Sequence, residues 1–336
     1  MSQRILKVVF FAISVLTLAE ARAEKSIYVP DFNGMIRTRY EYLTQENKSA
    51  FKVRNLRLGL EGYVAPIMSY RAEADFSDWG KVKLIDGFIK LTPVKGLYIN
   101  VGQARMPFTI AAHRRPEEQY FVNRPFLARH LGIRDVGVSA GYSIPKFPLT
   151  VQASFFNCSG TDVGKDFFTN TYGFTVKLYS RLSSSWYLSA STARLKRGVA
   201  RSQDWDIGAY FDNGIWHVEG EYLRKAYLHN IFKPVNAFDL FVCRNFPIGK
   251  KMMEGVAAAV RYDYMGDHSN GIPSEEGTLI ANHPECHRLT LGATLSLQTK
   301  FQADIRLNYE KYFLKKGLQH SLDNSDRLVL ELTAAF

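Results

Sequence analysis

Between Ala104 and Arg134 the chain sets six arginines, Arg105, Arg114, Arg115, Arg124, Arg129 and Arg134, against two glutamates, Glu117 and Glu118, with His113 and His130 beside them. A guanidinium stays charged at any physiological pH and binds phosphate or carboxylate through two parallel hydrogen bonds. Six of them in a narrow, partly desolvated space would concentrate anions and exclude cations, because a low-dielectric constriction focuses the field. These six are therefore the candidate anion-selectivity residues. On a loop lying outside, the same arginines would meet lipopolysaccharide phosphates or solvent, and sequence parity does not fix which way a loop folds. Phe108, Tyr120, Phe121, Phe126 and Leu127 in the same segment favour an ordered loop packed against a partner.

Other chemistry is poorly supplied. The histidines at 113, 130, 217, 229, 268, 283, 287 and 320 fall mostly in expected loops and accompany no recognisable nucleophile motif. The triad logic of nucleophilic catalysis is therefore missing. Cys158, Cys243 and Cys286 make no CxxC pair and have no histidines at metal spacing, which argues against structural zinc. After export one disulfide and one free thiol remain open, and Cys158 with Cys286 is the favoured pair because both fall at loop ends. No cofactor or metal is implied.

Export itself is written at the N-terminus. Arg4 and Lys7 precede the apolar run Val8 to Leu18 and then Ala21-Arg22-Ala23, the order of a secretory signal peptide, residues 1–23. Cleavage after Ala23 leaves 24–336 as one domain. The apolar run is short of the ~20 residues a membrane helix needs, and no later stretch approaches that length. The formal charge is +11, and losing Arg4, Lys7 and Arg22 with Glu20 removes a net two and leaves +9. Such an excess suits small anions or lipid head groups, while export removes nucleic acid as a partner. A signal peptide alone fits a soluble periplasmic protein equally well, so the strands must decide.

From residue 32 onward the dominant period is two. Residues 34–42 put Ile36, Thr38, Tyr40 and Tyr42 on one face and Arg37, Arg39 and Glu41 on the other. Residues 55–62 and 70–76 repeat the pattern. Sixteen strands are predicted, at 33–43, 51–64, 67–76, 82–92, 97–103, 135–143, 149–156, 172–180, 186–194, 204–212, 215–224, 237–245, 252–264, 286–297, 300–309 and 327–336. Seven tight turns, among them Ala65-Pro66 and Asn213-Gly214, interleave with eight loops that are mostly longer, including 104–134, 157–171, 225–236, 265–285 and 310–326. An antiparallel transmembrane β-barrel of sixteen strands, with short periplasmic turns and long extracellular loops, has this layout, and a soluble β-sandwich has no reason for it. Lipid then meets the leucine-rich parity. The opposite parity lines the lumen with Arg37, Arg39, Arg57, Arg71, Lys177, Arg261, Arg288 and Arg306, balanced by Glu41, Glu61, Glu73, Asp75, Glu219, Glu221, Asp263 and Asp304. The last strand ends with Leu328, Leu330, Leu332, Ala334 and Phe336 on one face, which resembles the C-terminal signal by which barrels are handed to the outer-membrane assembly machinery.

Residues 54–62, 70–76, 82–88 and 134–137, together with Gly102-Gln103-Ala104-Arg105-Met106-Pro107-Phe108, resemble the phosphate-selective porin O and P family in order and spacing. The resemblance implies a trimeric sixteen-stranded outer-membrane barrel that passes inorganic phosphate or similar anions past arginines and lysines. Arg105 stands at the family's basic position, where a lysine is expected, and Asp86 stands at the aspartate of the fourth strand. In general porins the long third loop, here 104–134, folds inward and narrows the channel. Two other readings use the same strands: a structural or adhesive surface barrel whose loops plug it, and a barrel enzyme.

Overall fold

The computed structural model describes residues 27–336 except 79, 132, 161–167, 251, 276, 282 and 316–322. The predicted signal segment, residues 1–23, lies outside the described residues. Sixteen strands follow in chain order: β1 (Asp31–Leu43), β2 (Lys48–Ala65), β3 (Met68–Asp78), β4 (Lys81–Leu91), β5 (Leu97–Arg105), β6 (Arg134–Ser143), β7 (Leu149–Phe156), β8 (Gly173–Arg181), β9 (Trp186–Arg197), β10 (Ala200–Asp212), β11 (Trp216–Tyr227), β12 (Val235–Lys250), β13 (Met253–Met265), β14 (Cys286–Leu297), β15 (Gln302–Leu314) and β16 (Arg327–Ala335). Each pairs antiparallel with its sequence neighbours, and β1 pairs with β16 to close the barrel. Between β5 and β6 stands one six-residue helix, α1 (Phe126–Leu131).

The alternation of side chains sorts polarity in the sense opposite to that of a soluble domain. On β16 Leu330 is 44% exposed while its neighbour Glu331 is 0% exposed. Around the wall Arg37, Arg39, Lys177, Arg261, Arg288 and Arg306 are buried inward, and Ile36, Leu58, Ile207, Leu240 and Leu307 lie bare outward. An outward apolar band around a polar interior is the solvent arrangement of a lipid-embedded barrel, in which closure satisfies the backbone of every strand.

The seam is made at Phe336. Its N–H donates to the Gly34 carbonyl at 3.0 Å, and the Gly34 N–H donates back to the Phe336 carbonyl at 3.0 Å. The ring leans edge-on to Phe301, with centroids 6.0 Å apart, and covers the place a Cβ on Gly34 would occupy.

Three expectations need correction. The alternation of short turns with long loops is not strict, because residues 44–47, 79–80 and 198–199 join β1–β2, β3–β4 and β9–β10 by connections as short as the periplasmic ones. Strands β9 and β10 run on past their predicted ends because Leu195 and Ala200, both inward and buried, continue the wall where the sense of the alternation is inverted. Gly198, with φ +55, makes the turn, and its backbone touches that of Gly271 so closely that a Cβ would fall 2.3 Å from the Gly271 carbonyl. The favoured Cys158–Cys286 disulfide is not formed, and all three thiols are free. The Cys158 sulfur receives the Lys196 N–H at 3.4 Å, while Cys286 opens β14 in an inward apolar cluster and donates to the His287 carbonyl at 3.5 Å.

Replacing Gly34 by Leu displaces the Phe336 ring while leaving the last residue unaltered. The variant should lower the yield of heat-modifiable, folded barrel from outer membranes several-fold, nearly as far as Phe336→Ala does. A wild-type yield for Gly34→Leu would mean that the seat of the ring plays no part.

Candidate functional site

Residues 106–133 carry three prolines, Pro107, Pro116 and Pro125, and form no strand, so their backbone groups need partners other than a ladder. The charged wall supplies them. The Lys177 ammonium donates to the Thr109 carbonyl at 2.5 Å, Arg306 to Glu117 at 2.5 Å, Arg37 to Val122 at 2.9 Å, Arg261 to Asn123 at 3.0 Å and Arg288 to Arg124 at 2.8 Å. Carboxylates take the opposite groups: Glu221 accepts the N–H of Ile110 and of Ala111, and Asp263 accepts the N–H of Phe126 at 2.9 Å, which opens α1. The segment thus lies inside the barrel, fastened to side chains from β1, β8, β11, β13, β14 and β15.

Apolar packing completes the attachment. Phe108, Phe126 and Leu127 are buried with Phe156, Leu195, Leu223 and Tyr312 of the wall, and Phe121 lies edge-on to Phe241 at 5.6 Å. Two fastening guanidiniums also lie over rings, Arg261 at 4.5 Å from the Phe121 centroid and Arg288 at 4.6 Å from that of Phe126. Arg288 has no exposed surface and pairs with Asp263 at 2.8 Å and Glu310 at 3.4 Å, both likewise enclosed.

With the segment fastened to that side, the open space is left against β2–β6. One cavity of about 240 Å³ is lined by Arg57, Arg71, Arg105, Arg115 and Arg134 with Glu73 and Asp86. A second, of about 180 Å³, shares Arg57, Arg105 and Arg134 and adds Arg124. Six arginines therefore border one passage. Four have carboxylate partners: Arg57 with Glu73 at 3.0 Å and Asp75 at 2.9 Å, Arg71 with Glu73 at 2.6 Å, Arg115 with Glu117 at 2.7 Å and Arg134 with Asp86 at 2.8 Å. Arg105 and Arg124 are held by carbonyls instead. Arg105 donates to His113 at 2.5 Å, and Arg124 donates to Ala111 at 2.7 Å and Arg114 at 2.6 Å. Neither has a carboxylate partner among the described residues. The Arg124 pKa is depressed by burial first and then by the positive charges of Arg105, Arg57, Arg37 and Arg114, so that an anion entering there relieves a repulsion already present. Burial, then Lys177 and Arg105, hold the His113 pKa well below its usual value, and the ring stays neutral.

The sequence candidates accordingly separate. Arg105, Arg115, Arg124 and Arg134 border the passage. Arg114 instead turns to the far wall, where it pairs with buried Glu219 at 2.5 Å and covers the Tyr120 ring at 4.9 Å. Arg129 is exposed at the extracellular end and pairs with Asp323 at 3.0 Å. Of the wall candidates, Arg57 and Arg71 border the passage, and Asp86 stands between Arg71 and Arg134. Arg37, Lys177, Arg261, Arg288 and Arg306 fasten the segment, and Arg39 pairs with Glu41 at 2.9 Å and reaches Asn123 at 3.0 Å. Sequence reasoning missed Gln103, which donates to the Leu84 and Ile85 carbonyls beside the β4 bulge, and Gly102, whose φ of +130 lets β5 lie against Gly87. The Gly-Gln pair next to Arg105 was the available signal.

A family model described as phosphate-selective porin O and P matches residues 34–229. No curated protein matches. Among solved structures, the anion-selective porin from Comamonas acidovorans is similar with a TM-score of 0.66 at 13% identity, over 92% of this chain and 99% of that one. The outer membrane channel DcaP of Acinetobacter baumannii gives 0.63 at 13% identity, over 91% and 97%. The trimer form of in-vitro folded OmpT, an outer membrane protein of Vibrio cholerae, gives 0.59 at 12% identity, over 92% and 99%. At such identities the likeness carries the fold alone.

Substituting Met for Arg288 removes the shortest cation contact of each buried carboxylate, leaving Asp263 with Arg261 at 3.5 Å and Glu310 with Arg327 at 3.8 Å. Removing one partner of a buried ion pair costs about 3–5 kcal/mol, so the urea midpoint should fall and proteases should cut within 104–134 in the folded barrel. An unshifted midpoint with an intact segment would show that the fastening resides elsewhere.

Proposed function

This chain belongs to the phosphate-selective porin O and P family of the outer membrane, and from that membership we propose that phosphate and similar small anions cross it beside β2–β6, selected by Arg57, Arg71, Arg105, Arg115, Arg124 and Arg134. The protein is a porin, a channel rather than an enzyme. The observation that carries the assignment of these residues is that Arg105 and Arg124, held by backbone carbonyls and without a carboxylate partner among the described residues, line one cavity of about 180 Å³ together.

A hydrated anion moving from the extracellular side exchanges water for guanidinium donors arranged along the passage. Arg57, Arg71 and Arg134 are kept in place by carboxylates and so present fixed donor edges at little further cost in side-chain entropy. Arg105 and Arg124 supply the net field. A cation meets the same field as a barrier, whereas an anion gains at each step. Phosphate profits most, because its oxygens match the planar donor fork.

Three further statements belong to the same reading. Cleavage after Ala23 yields the exported form. Phe336 presents the chain to the barrel-assembly machinery. Three copies associate, a state that the Vibrio cholerae relative's trimer form supports.

Purified protein in planar bilayers under a potassium chloride gradient should give a reversal potential of anion-preferring sign, with chloride current reduced by added phosphate. A unit charge at 4 Å is worth ~1 kcal/mol even in bulk water, or about fivefold in occupancy. Arg105→Ala and Arg124→Ala should each therefore lower the anion preference by roughly that factor, while Arg129→Ala leaves it unchanged. A preference for potassium, or an unmoved reversal potential in both passage variants, would overturn the proposal.

A further inference from the structure

The lipid-facing parity is almost free of charge: at the periplasmic edge Arg244 lies over the Trp216 and Phe246 rings, and a larger cationic area stands at the other end. On the extracellular ends of β9, β10 and β11, Arg194, Arg201 and Arg224 point outward and are exposed, and Lys196 points outward half-buried. Lys196 stands directly opposite Arg201, Arg194 opposite Gln203 and Arg224 opposite Trp205. Like charges facing one another across a strand pair are destabilising unless something neutralises them. Among the described residues no carboxylate shares the outward face of β8 to β12 and none of the four cations has an ion pair; Arg201 meets the Thr171 hydroxyl at 3.5 Å. Elsewhere at this end the protein does match an outward cation: Lys311 of β15 is bonded to Asp326 at 2.5 Å.

Depth identifies what lies against the four. Below them on the same strands the outward face is apolar, with Leu188, Ala190, Ile207 and Val218. At the periplasmic edge it ends in Trp186, Phe211 and Trp216. At the upper edge Trp205 and Phe174 are exposed, and rings at such positions mark the boundary between hydrocarbon and head groups in a barrel. Arg194 and Arg224 stand level with those rings, and Lys196 and Arg201 one step above, so all four occupy the head-group layer of the outer leaflet.

We propose that Arg194, Lys196, Arg201 and Arg224 form a lipid-facing site for the phosphate groups at the lipid A end of lipopolysaccharide. Four donors spread over three adjacent strands suit a head group with more than one phosphate, and its acyl chains would lie on the apolar strip beneath. The site is separate from the passage, since its side chains leave the wall on the opposite parity from Lys177, Asp204 and Glu221.

The test uses the full barrel in detergent, with lipid A, dephosphorylated lipid A and phosphatidylglycerol as probes and native mass spectrometry as the readout. Wild type should retain lipid A, and a variant combining Arg194→Gln, Lys196→Gln, Arg201→Gln and Arg224→Gln should retain at least tenfold less at an unchanged reversal potential. Equal retention by that variant, or equal retention by wild type of dephosphorylated lipid A or phosphatidylglycerol, overturns the proposal. Should the fourfold variant fail to assemble, Arg194→Gln and Arg224→Gln singly should each reduce retention several-fold, and wild-type retention in both would overturn it.

Discussion

An irregular segment inside a barrel brings with it carbonyl and amide groups that water no longer serves, and the arrangement of this molecule depends on how those groups are satisfied. Arg37, Lys177, Arg261, Arg288 and Arg306 donate to carbonyls of residues 106–133, and Glu221 and Asp263 receive its amides. Charged side chains serve better than neutral ones because charge-assisted hydrogen bonds are roughly twice as strong, and they reach inward from strands that are themselves immobile. The wall charges that read as a wet channel lining are thus largely structural ties.

From that attachment the location of the open space follows. The segment fills the side of the barrel from which the ties come, together with Phe108, Phe126 and Leu127, and β2–β6 are left facing open space. The arginines on the two sides differ in partner accordingly. Arg288 and Arg114 are enclosed with carboxylates, whereas Arg105 and Arg124 hang from carbonyls of residues 111–114 without one. Charge count along a segment therefore says little about which cations are left without a carboxylate, and the identity of each cation's partner says it directly.

The barrel was legible because a wall with lipid on one side and polar groups on the other writes its period into every strand; β16 alone, with Glu331 between Leu330 and Leu332, states it. Legibility failed where the inward face turned apolar. Ala193, Leu195 and Leu223 face inward toward the packed segment while Arg194, Lys196 and Arg224 face outward, so the upper parts of β9 to β11 alternate in the opposite sense and the strands looked shorter than they are. The division among the six loop arginines was hidden for a different reason, since Arg114 and Arg124 are ten residues apart in one segment and only its three-dimensional course separates them. Nor could spacing show that the cysteine sulfurs face different neighbours. Phe336 was readable as an end signal, while its reciprocal bonds with Gly34 required the register of β1 on β16.

The same fastening has a mechanical side. Residues 106–133 leave the wall at β5, return to it at β6 and are tied to β1, β8, β11, β13, β14 and β15, so they act as a brace across the cylinder. A cross-brace resists flattening along its own direction and gives no support to the arc it does not touch. That arc, β2 to β4, is held only by neighbouring strands, and it is the arc that carries Arg57 and Arg71. Lateral pressure from the membrane would accordingly be met by the brace on one side and by strand pairing on the other.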